Sequence, residues 1–495
     1  MSASGTSKSQ AIRAKAGHPI IDGDGHTIEF APMLEDYLRQ VGGGKLADRY
    51  ARQFKGNRLG WYGLSQEERR SRRVARPPFW TMPAKNTRDI ATVMFPKLLE
   101  ERMETLGLDY CIMYPTIGLF MPREYDEEVR RASCRALNMM HADLFGPHSY
   151  RMTPAAAIPM HTPAEAIEEM EFASKKLGYK VMMIAGHVRR PIAAIAERAP
   201  ELAQLAIWVD SLALDSEHDY DPVWQKCLEL GVSPTAHTGS MGWGSRTSIS
   251  NYNYNHIGHF AAANEAFCKA LFFGGVTERF PALKFAFLEG GVAWATSLYA
   301  DLVGHWEKRN FKALDRLDPD NLDSKLFSEL AQKYGDARFN EKLERLGGDK
   351  SWLVRTKENR ASLDEWAACG IAKVEDVCER FVPNFYFGCE ADDPSVAGAF
   401  DHRGNPFGAR LKAMFSSDIG HWDVHDITEV VEEAFELVEH DRISEADFRD
   451  FTFTNIASLH TANNPNFFRG TAVEDAVAKL LGDGRETERR LAQAG

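Results

Sequence analysis

The chain has 495 residues, of which 44% are hydrophobic and 26% charged, and its formal net charge is −12. Such a composition belongs to a globular protein with a large core, built as one barrel with insertions or as about two to three smaller domains. The acidic balance argues against a nucleic-acid surface, and the one basic run, ERRSRRVARP at residues 68–77, reads as a solvated or carboxylate-paired loop. The opening MSASGTSKSQAIRAKAG has no apolar stretch of a leader, and no segment approaches the roughly 18 apolar residues of a spanning helix, so a cytoplasmic chain without a membrane partner is expected. Seven cysteines, Cys111, Cys268 and Cys389 among them, lie singly in apolar segments and read as reduced core residues.

In chain order, the first apolar run is PIIDGDGH (19–26). Side chains two apart share a face of a strand, so Asp22, Asp24 and His26 are expected to point one way. Three such groups at a strand end are costly to desolvate unless something binds them, and an ion is the usual something; a turn is the competing reading, because Asp-Gly is common turn chemistry. A long aromatic and basic stretch then precedes DYCIMYP (109–115) and MTPAAAIPM (152–160). TPAEAIEEMEFASKKLG follows, with apolar residues at helical spacing and Gly178 as its C-cap. KVMMIAG (180–186) leads into His187, Arg189 and Arg190, and VSPTAHTG (232–239) carries His237. KFAFLEG (284–290) carries Glu289, NFYFGCE (384–390) ends in Glu390, and AMFSSDI (413–419) carries Asp418.

Eight such runs with amphipathic helices between them predict an α/β fold, a (β/α)8 TIM barrel. It has a long first loop and a helical insertion, at about 305–383, between strands six and seven. The boundaries read as an N-terminal tail at 1–18, the barrel at 19–470 and a helical tail at 471–495. Both excursions read as partial lids over the barrel mouth, where Trp61, Phe79 and Trp80 would bury.

Barrel enzymes place their chemistry at the C-terminal ends of strands, and here carboxylates and imidazoles recur at those ends. Two imidazoles and two carboxylates suit a divalent ion with an open position, which can acidify water and polarise a carbonyl. His187, Arg189 and Arg190 stand where a substrate carboxylate could be met, and His421 could orient Asp418. His256, His259, Trp61 and Trp422 read as pocket walls.

DGDGH, AHTGS, RFPALKFAFLEGG, FSSDIGHWD and NPNFFRGT together resemble the amidohydrolase-related family, over residues 19–300 and 380–472. This branch of the amidohydrolase superfamily includes aminocarboxymuconate semialdehyde decarboxylase and gamma-resorcylate decarboxylase. The resemblance implies one divalent metal on Asp24, His26, His237 and Asp418, usually zinc, with manganese or iron as alternatives. It also implies a small-molecule substrate and a homodimer or higher homo-oligomer. Two positions depart from the family pattern: Asp24 stands where many members have a histidine, and Glu289 where the decarboxylases place one. A carboxylate at 289 suits general-base work on water. The leading expectation is therefore hydrolysis of a carbonyl-derived C–N or C–C bond in a small organic acid or amide. Asp418, Glu289 and His187 would be catalytic, and Arg189, Arg190, His256 and Trp422 would line the substrate. Non-oxidative decarboxylation of an aromatic or unsaturated carboxylic acid is the alternative, with Asp418 protonating the ring carbon, and a metal-free barrel binding protein is a third.

Overall fold

Each of the eight apolar runs becomes one strand of a single parallel, barrel-shaped sheet. The computed structural model describes residues 6–77, 85–237, 243, 246–346 and 360–483. The strands are β1 (Ile21–Thr27), β2 (Tyr110–Pro115), β3 (Met152–Ala157) and β4 (Val181–Ile184), then, after an antiparallel pair β5 (Val188–Pro191) and β6 (Ile207–Asp210), β7 (Pro234–Ala236), β8 (Phe285–Phe287), β9 (Phe385–Glu390) and β10 (Lys412–Ser416). Their order around the sheet is β1-β2-β3-β4-β7-β8-β9-β10. The first and last strands meet at a polar seam: His26 N–H donates to Ile419 O at 2.9 Å and Asp418 N–H to Asp24 O at 3.2 Å. Asp22 clasps the same seam from one layer deeper, accepting from Ser417 N–H at 3.0 Å and Ser417 Oγ–H at 2.5 Å.

The strands are short and buried on both faces, which is why they read as continuous apolar runs instead of alternating ones. The helix Pro163–Leu177 has the ends its sequence promises. Thr162 and Glu165 form a capping box, Pro163 opens the helix, and Gly178 closes it at φ 77°. The expected tail at 1–18 contains a docked helix, Lys8–Lys15, whose Ser9 Oγ–H donates to Thr428 O at 2.6 Å. At the other end, residues 474–483 are helical and bury Val477. Among the described residues, no helix is long and apolar enough to cross a membrane.

The first excursion holds helices Ala31–Gly63, Gln66–Arg72, Thr87–Met94 and Pro96–Leu106. It is latched to the segment that follows β7 at the barrel mouth. Trp61 Nε1–H donates to Ile249 O at 3.0 Å, Arg76 N–H to Ser248 O at 2.9 Å, and Asn255 Nδ2–H to Arg76 O at 2.7 Å. The basic run is used in that latch more than in carboxylate pairing, since the Arg69 guanidinium stacks 3.6 Å from the Trp61 ring centre. Phe79 and Trp80 lie outside the described residues.

The described residues of the second excursion are anchored away from the mouth, not over it as expected from its length. It leaves from the end of the helix Ala293–Arg309, which follows β8 and runs back toward the N-terminal face of the barrel. On its return, Trp366 packs 5.3 Å from Phe273 and donates to Arg309 O at 3.2 Å. Phe273 and Arg309 are the last residues of the helices after β7 and β8, so this anchorage lies at the end of the barrel away from the C-terminal strand ends.

Candidate metal centre

Six side chains from four strand ends converge inside the mouth, all of them buried: Asp24, His26, His237, Glu289, Asp418 and His421. His26 Nδ1 lies 3.2 Å from Pro115 O, a hydrogen bond that turns the other ring nitrogen inward. His26 Nε2 is 3.0 Å from His237 Nε2, 3.5 Å from Asp24 Oδ1 and 3.7 Å from Asp418 Oδ1. His237 Nε2 is in turn 3.6 Å from Asp24 Oδ1 and 3.2 Å from Glu289 Oε2. His421 Nδ1 closes the ring at 2.6 Å from Asp418 Oδ1 and 3.7 Å from Glu289 Oε1. The structure thus brings the four expected ligands Asp24, His26, His237 and Asp418 together, and adds Glu289 and His421 to them.

The backbone is bent to present these groups. Glu289 and Asp418 both have left-handed conformations, at φ 54° and 50°, which non-glycine residues rarely adopt and which cost on the order of 1–3 kcal/mol each. Gly420, at φ 99°, passes so close to the His26 carbonyl that a Cβ there would lie 2.9 Å from the oxygen, and this turn returns His421 toward Asp418.

The charges are arranged for a ligand that is positive. Apart from the imidazoles of the cluster itself, the side-chain oxygens of Asp24 and Asp418 and one of Glu289 meet no hydrogen-bond donor. Burial pushes the Asp24 carboxyl up to about 7 and that of Asp418 well above its usual range, the charges of neighbouring histidines offsetting only part of this. Burial also opposes the charge of Glu289, but His421 and His237 beside it hold its carboxyl well below the ordinary range. His421 resists its own burial through Asp418 and Glu289, which keep it protonated well above the usual histidine value. Bare buried carboxylates and two ring nitrogens aimed at each other fit one divalent cation, which would take the place of the protons these groups otherwise hold.

Beside this cluster opens a cavity of about 430 Å3, lined by His256, Phe260, Glu289, Glu390, Trp422 and Asp423 among others. His256 and Trp422 stand 5.3 Å apart, edge to face, as a wall of the kind expected. His259 packs 4.1 Å from Phe260 behind it. His187 is buried with neither ring nitrogen hydrogen-bonded, and burial, with Arg123 and Arg189 adding to it, drives its pKa well below the usual value. Arg189 is on the exposed side of the β5–β6 hairpin and acts electrostatically on both His187 and Arg123.

Arg190, expected at the substrate, is committed elsewhere. Adjacent residues of a strand face opposite ways, so Arg190 is buried where Arg189 is exposed. Its Nε–H donates to Asp210 Oδ2 at 2.5 Å, and its other nitrogens donate to His161 O at 3.1 Å and Tyr220 Oη at 3.0 Å. Sequence reasoning missed Arg123, which lies in the 3-10 turn Gly118–Arg123 after β2; a lone arginine in GLFMPR carries no recognisable signal.

A family model described as amidohydrolase matches residues 113–350. Among solved structures, a 5-carboxyvanillate decarboxylase from Novosphingobium aromaticivorans is 13% identical, with 90% of this chain and 97% of that one covered and a TM-score of 0.50. A dihydroxybenzoic acid decarboxylase from a Polaromonas species is 14% identical, with 91% and 99% covered and a TM-score of 0.48. An amidohydrolase from Mycobacterium avium subsp. paratuberculosis is 17% identical, with 75% and 76% covered and a TM-score of 0.46. Strand-end residues on an eight-stranded barrel agree with that family model, which this chain matches over residues 113–350.

Proposed function

We propose that this chain is a metal-dependent, non-oxidative decarboxylase of a small aromatic or unsaturated carboxylic acid. The observation that carries the reading is the Asp418–His421 pair, buried at the barrel mouth with its facing atoms 2.6 Å apart, so that it holds a proton beside the candidate cation site. Decarboxylation needs such a proton, because the electron pair left on carbon must be captured as carbon dioxide departs. Arg123 and Arg189, with a neutral His187 beside them, supply a cationic side to meet the substrate carboxylate. Further support comes from the Novosphingobium decarboxylase, whose structure holds manganese and a nitrobenzoic acid.

Asp24, His26, His237 and Asp418 would hold the cation, with Glu289 and His421 against them. When bound, it would act as a Lewis acid that orients the substrate and withdraws charge from it. Three carboxylates among the six donors favour manganese over the zinc expected from resemblance alone. The chain's own part is to orient the acid between its cationic side and the Trp422–His256 wall, to keep water out, and to pass a proton from the Asp418–His421 pair to the carbon that loses its carboxylate.

Hydrolysis is the second reading, favoured by one feature: Glu289 is ionised and next to His237, so it could take a proton from water. The test is to load the protein with manganese and incubate it with carboxyl-labelled hydroxybenzoates and, separately, with amides of the same acids. Labelled carbon dioxide supports decarboxylation; acid released from the amides without carbon dioxide would overturn it in favour of hydrolysis.

A further inference from the structure

The basic run ERRSRRVARP holds five arginines, and the latch at the mouth uses two of them. Arg69 stacks on Trp61 and donates to its carbonyl at 3.0 Å, and Arg76 donates to Ser250 O at 2.9 Å. Arg70, Arg72 and Arg73 belong to the helix Gln66–Arg72 and its C-cap, and all three are exposed. Among the described residues, the ion pair that reaches any of them is Arg72 with Glu68 at 4.0 Å, and Glu68 is already engaged by Ser65 N–H at 2.7 Å. What brackets the three fixes their place. Trp61 on one side and Arg76 on the other hydrogen-bond to Ile249 O and Ser248 O, in the segment that leads directly to His256 and the cavity. The helix between these anchors is about 10 Å long, so its guanidinium groups stay near the rim of the mouth. Their surroundings have the opposite sign. The chain carries a net charge of −12, and Glu289, Glu390, Asp392, Asp393 and Asp423 line the cavity.

We propose that Arg70, Arg72 and Arg73 form an electrostatic guide that draws small carboxylates out of solution to the mouth and raises their rate of association without touching them once bound. That the cargo is a carboxylate rests on the carboxylic-acid reading above; the guide itself rests on the placement of the three arginines. An anion approaching the entrance meets repulsion from the chain and from the cavity wall, and attraction from this tip. Steering acts through a long-range field, so it calls for charges left in water and not spent on carboxylates, which is how these three differ from Arg69 and Arg76. The field extends over about 30 Å at 0.01 M salt and about 8 Å at 0.15 M. At a separation on the order of 15 Å in water, three unit charges enrich a single carboxylate by about two- to fourfold at low salt and by little at 0.15 M.

The test is stopped-flow association of the manganese-loaded protein with meta-nitrobenzoate and, separately, with the uncharged meta-nitrobenzamide, followed by quenching of tryptophan fluorescence at ionic strengths from about 10 to 150 mM. Wild type is expected to take up the anion about two- to fourfold faster at the lowest salt than a variant carrying Arg70→Gln, Arg72→Gln and Arg73→Asn, with the two converging at the highest. Glu67→Lys, exposed one turn before Arg70, should take it up faster than wild type. The amide should associate equally with all three, and dissociation rates and bound metal should not change, with each fold checked by circular dichroism. Equal association of the anion with wild type and the triple variant at low salt would overturn the guide. So would an equal loss for the amide, which would make the arginines supports of the mouth, and so would no binding of the anion by wild type. Guided capture with no acid decarboxylated would leave the guide standing and remove the proposed reaction; decarboxylation with association indifferent to salt and to the variants would do the reverse.

Discussion

Residues 28–109 and 310–373 both interrupt the regular alternation of strand and helix, and both were expected over the mouth. The first starts directly after β1, within a few residues of His26, and it stays at the mouth because Trp61 and Arg76 hydrogen-bond to the segment that follows β7. The second starts only after the helix Ala293–Arg309 has carried the chain back across the barrel, and it is anchored there by Trp366 against Phe273 and Arg309. Length and composition are similar guides to both and separate neither. What separates them is whether the excursion follows a strand or a helix, since the two kinds of connection lie on opposite faces of the barrel.

The sharpest test of the mouth as the working face is to change its centre. His237→Ala is expected to abolish turnover and lower bound divalent metal together, whereas Glu289→Gln should reduce kcat by on the order of 10²–10⁴-fold with that metal retained. Metal analysis beside kinetics distinguishes them, and loss of the ion in Glu289→Gln would make Glu289 a ligand.

A second measurement separates the barrel's flank from both excursions. His141 and His460 are buried, and burial holds each down to about 3. Their neutral forms therefore stabilise the fold fully above the unfolded value near 6.5, and that contribution is lost as pH falls toward 3. At pH 5 each costs about 2 kcal/mol, so the Tm of wild type should fall between about pH 6.5 and 4.5. His460→Gln should flatten that fall, and an unchanged slope would remove the histidine from the account.

The two excursions are then compared directly. Trp61→Ala should raise KM or lower kcat on the order of tenfold with metal content unchanged, because it loosens a wall of the mouth. The smallest effect is expected at the far end. Leu326 and Leu330 are exposed on the helix Ser324–Tyr334, and replacing both with glutamate should leave kcat/KM within about twofold. A tenfold change in a folded variant would bring the second excursion back to the mouth.

The barrel was legible because its strands are buried on both faces, so each of the eight announces itself as an apolar block; Val181–Ile184 in KVMMIAG is as plain as Phe385–Glu390 in NFYFGCE. The cluster was legible for a related reason. Polar residues at the ends of such blocks have few structural uses, and Asp24, His26, His237, Glu289 and Asp418 meet as their positions implied. The β5–β6 hairpin escaped notice because its strands, VRRP and IWVD, are partly exposed and carry charges, so neither forms an apolar block. Arg190 was misplaced because its partner Asp210 comes from the other arm of that unseen hairpin. The side taken by the second excursion was obscure for a different reason, since it depends on where one helix ends and not on what the inserted residues are.

The seam between the first and last strands has a consequence for biosynthesis. Asp24 and His26 leave the ribosome nearly 400 residues before Asp418 and His421, yet their backbones must pair before the six side chains can face one another. A nascent chain therefore carries its imidazoles and carboxylates apart until β10 and the turn after it have been translated. Cation capture belongs to the moment of barrel closure, and a chain cut short before β10 has no complete centre to fill.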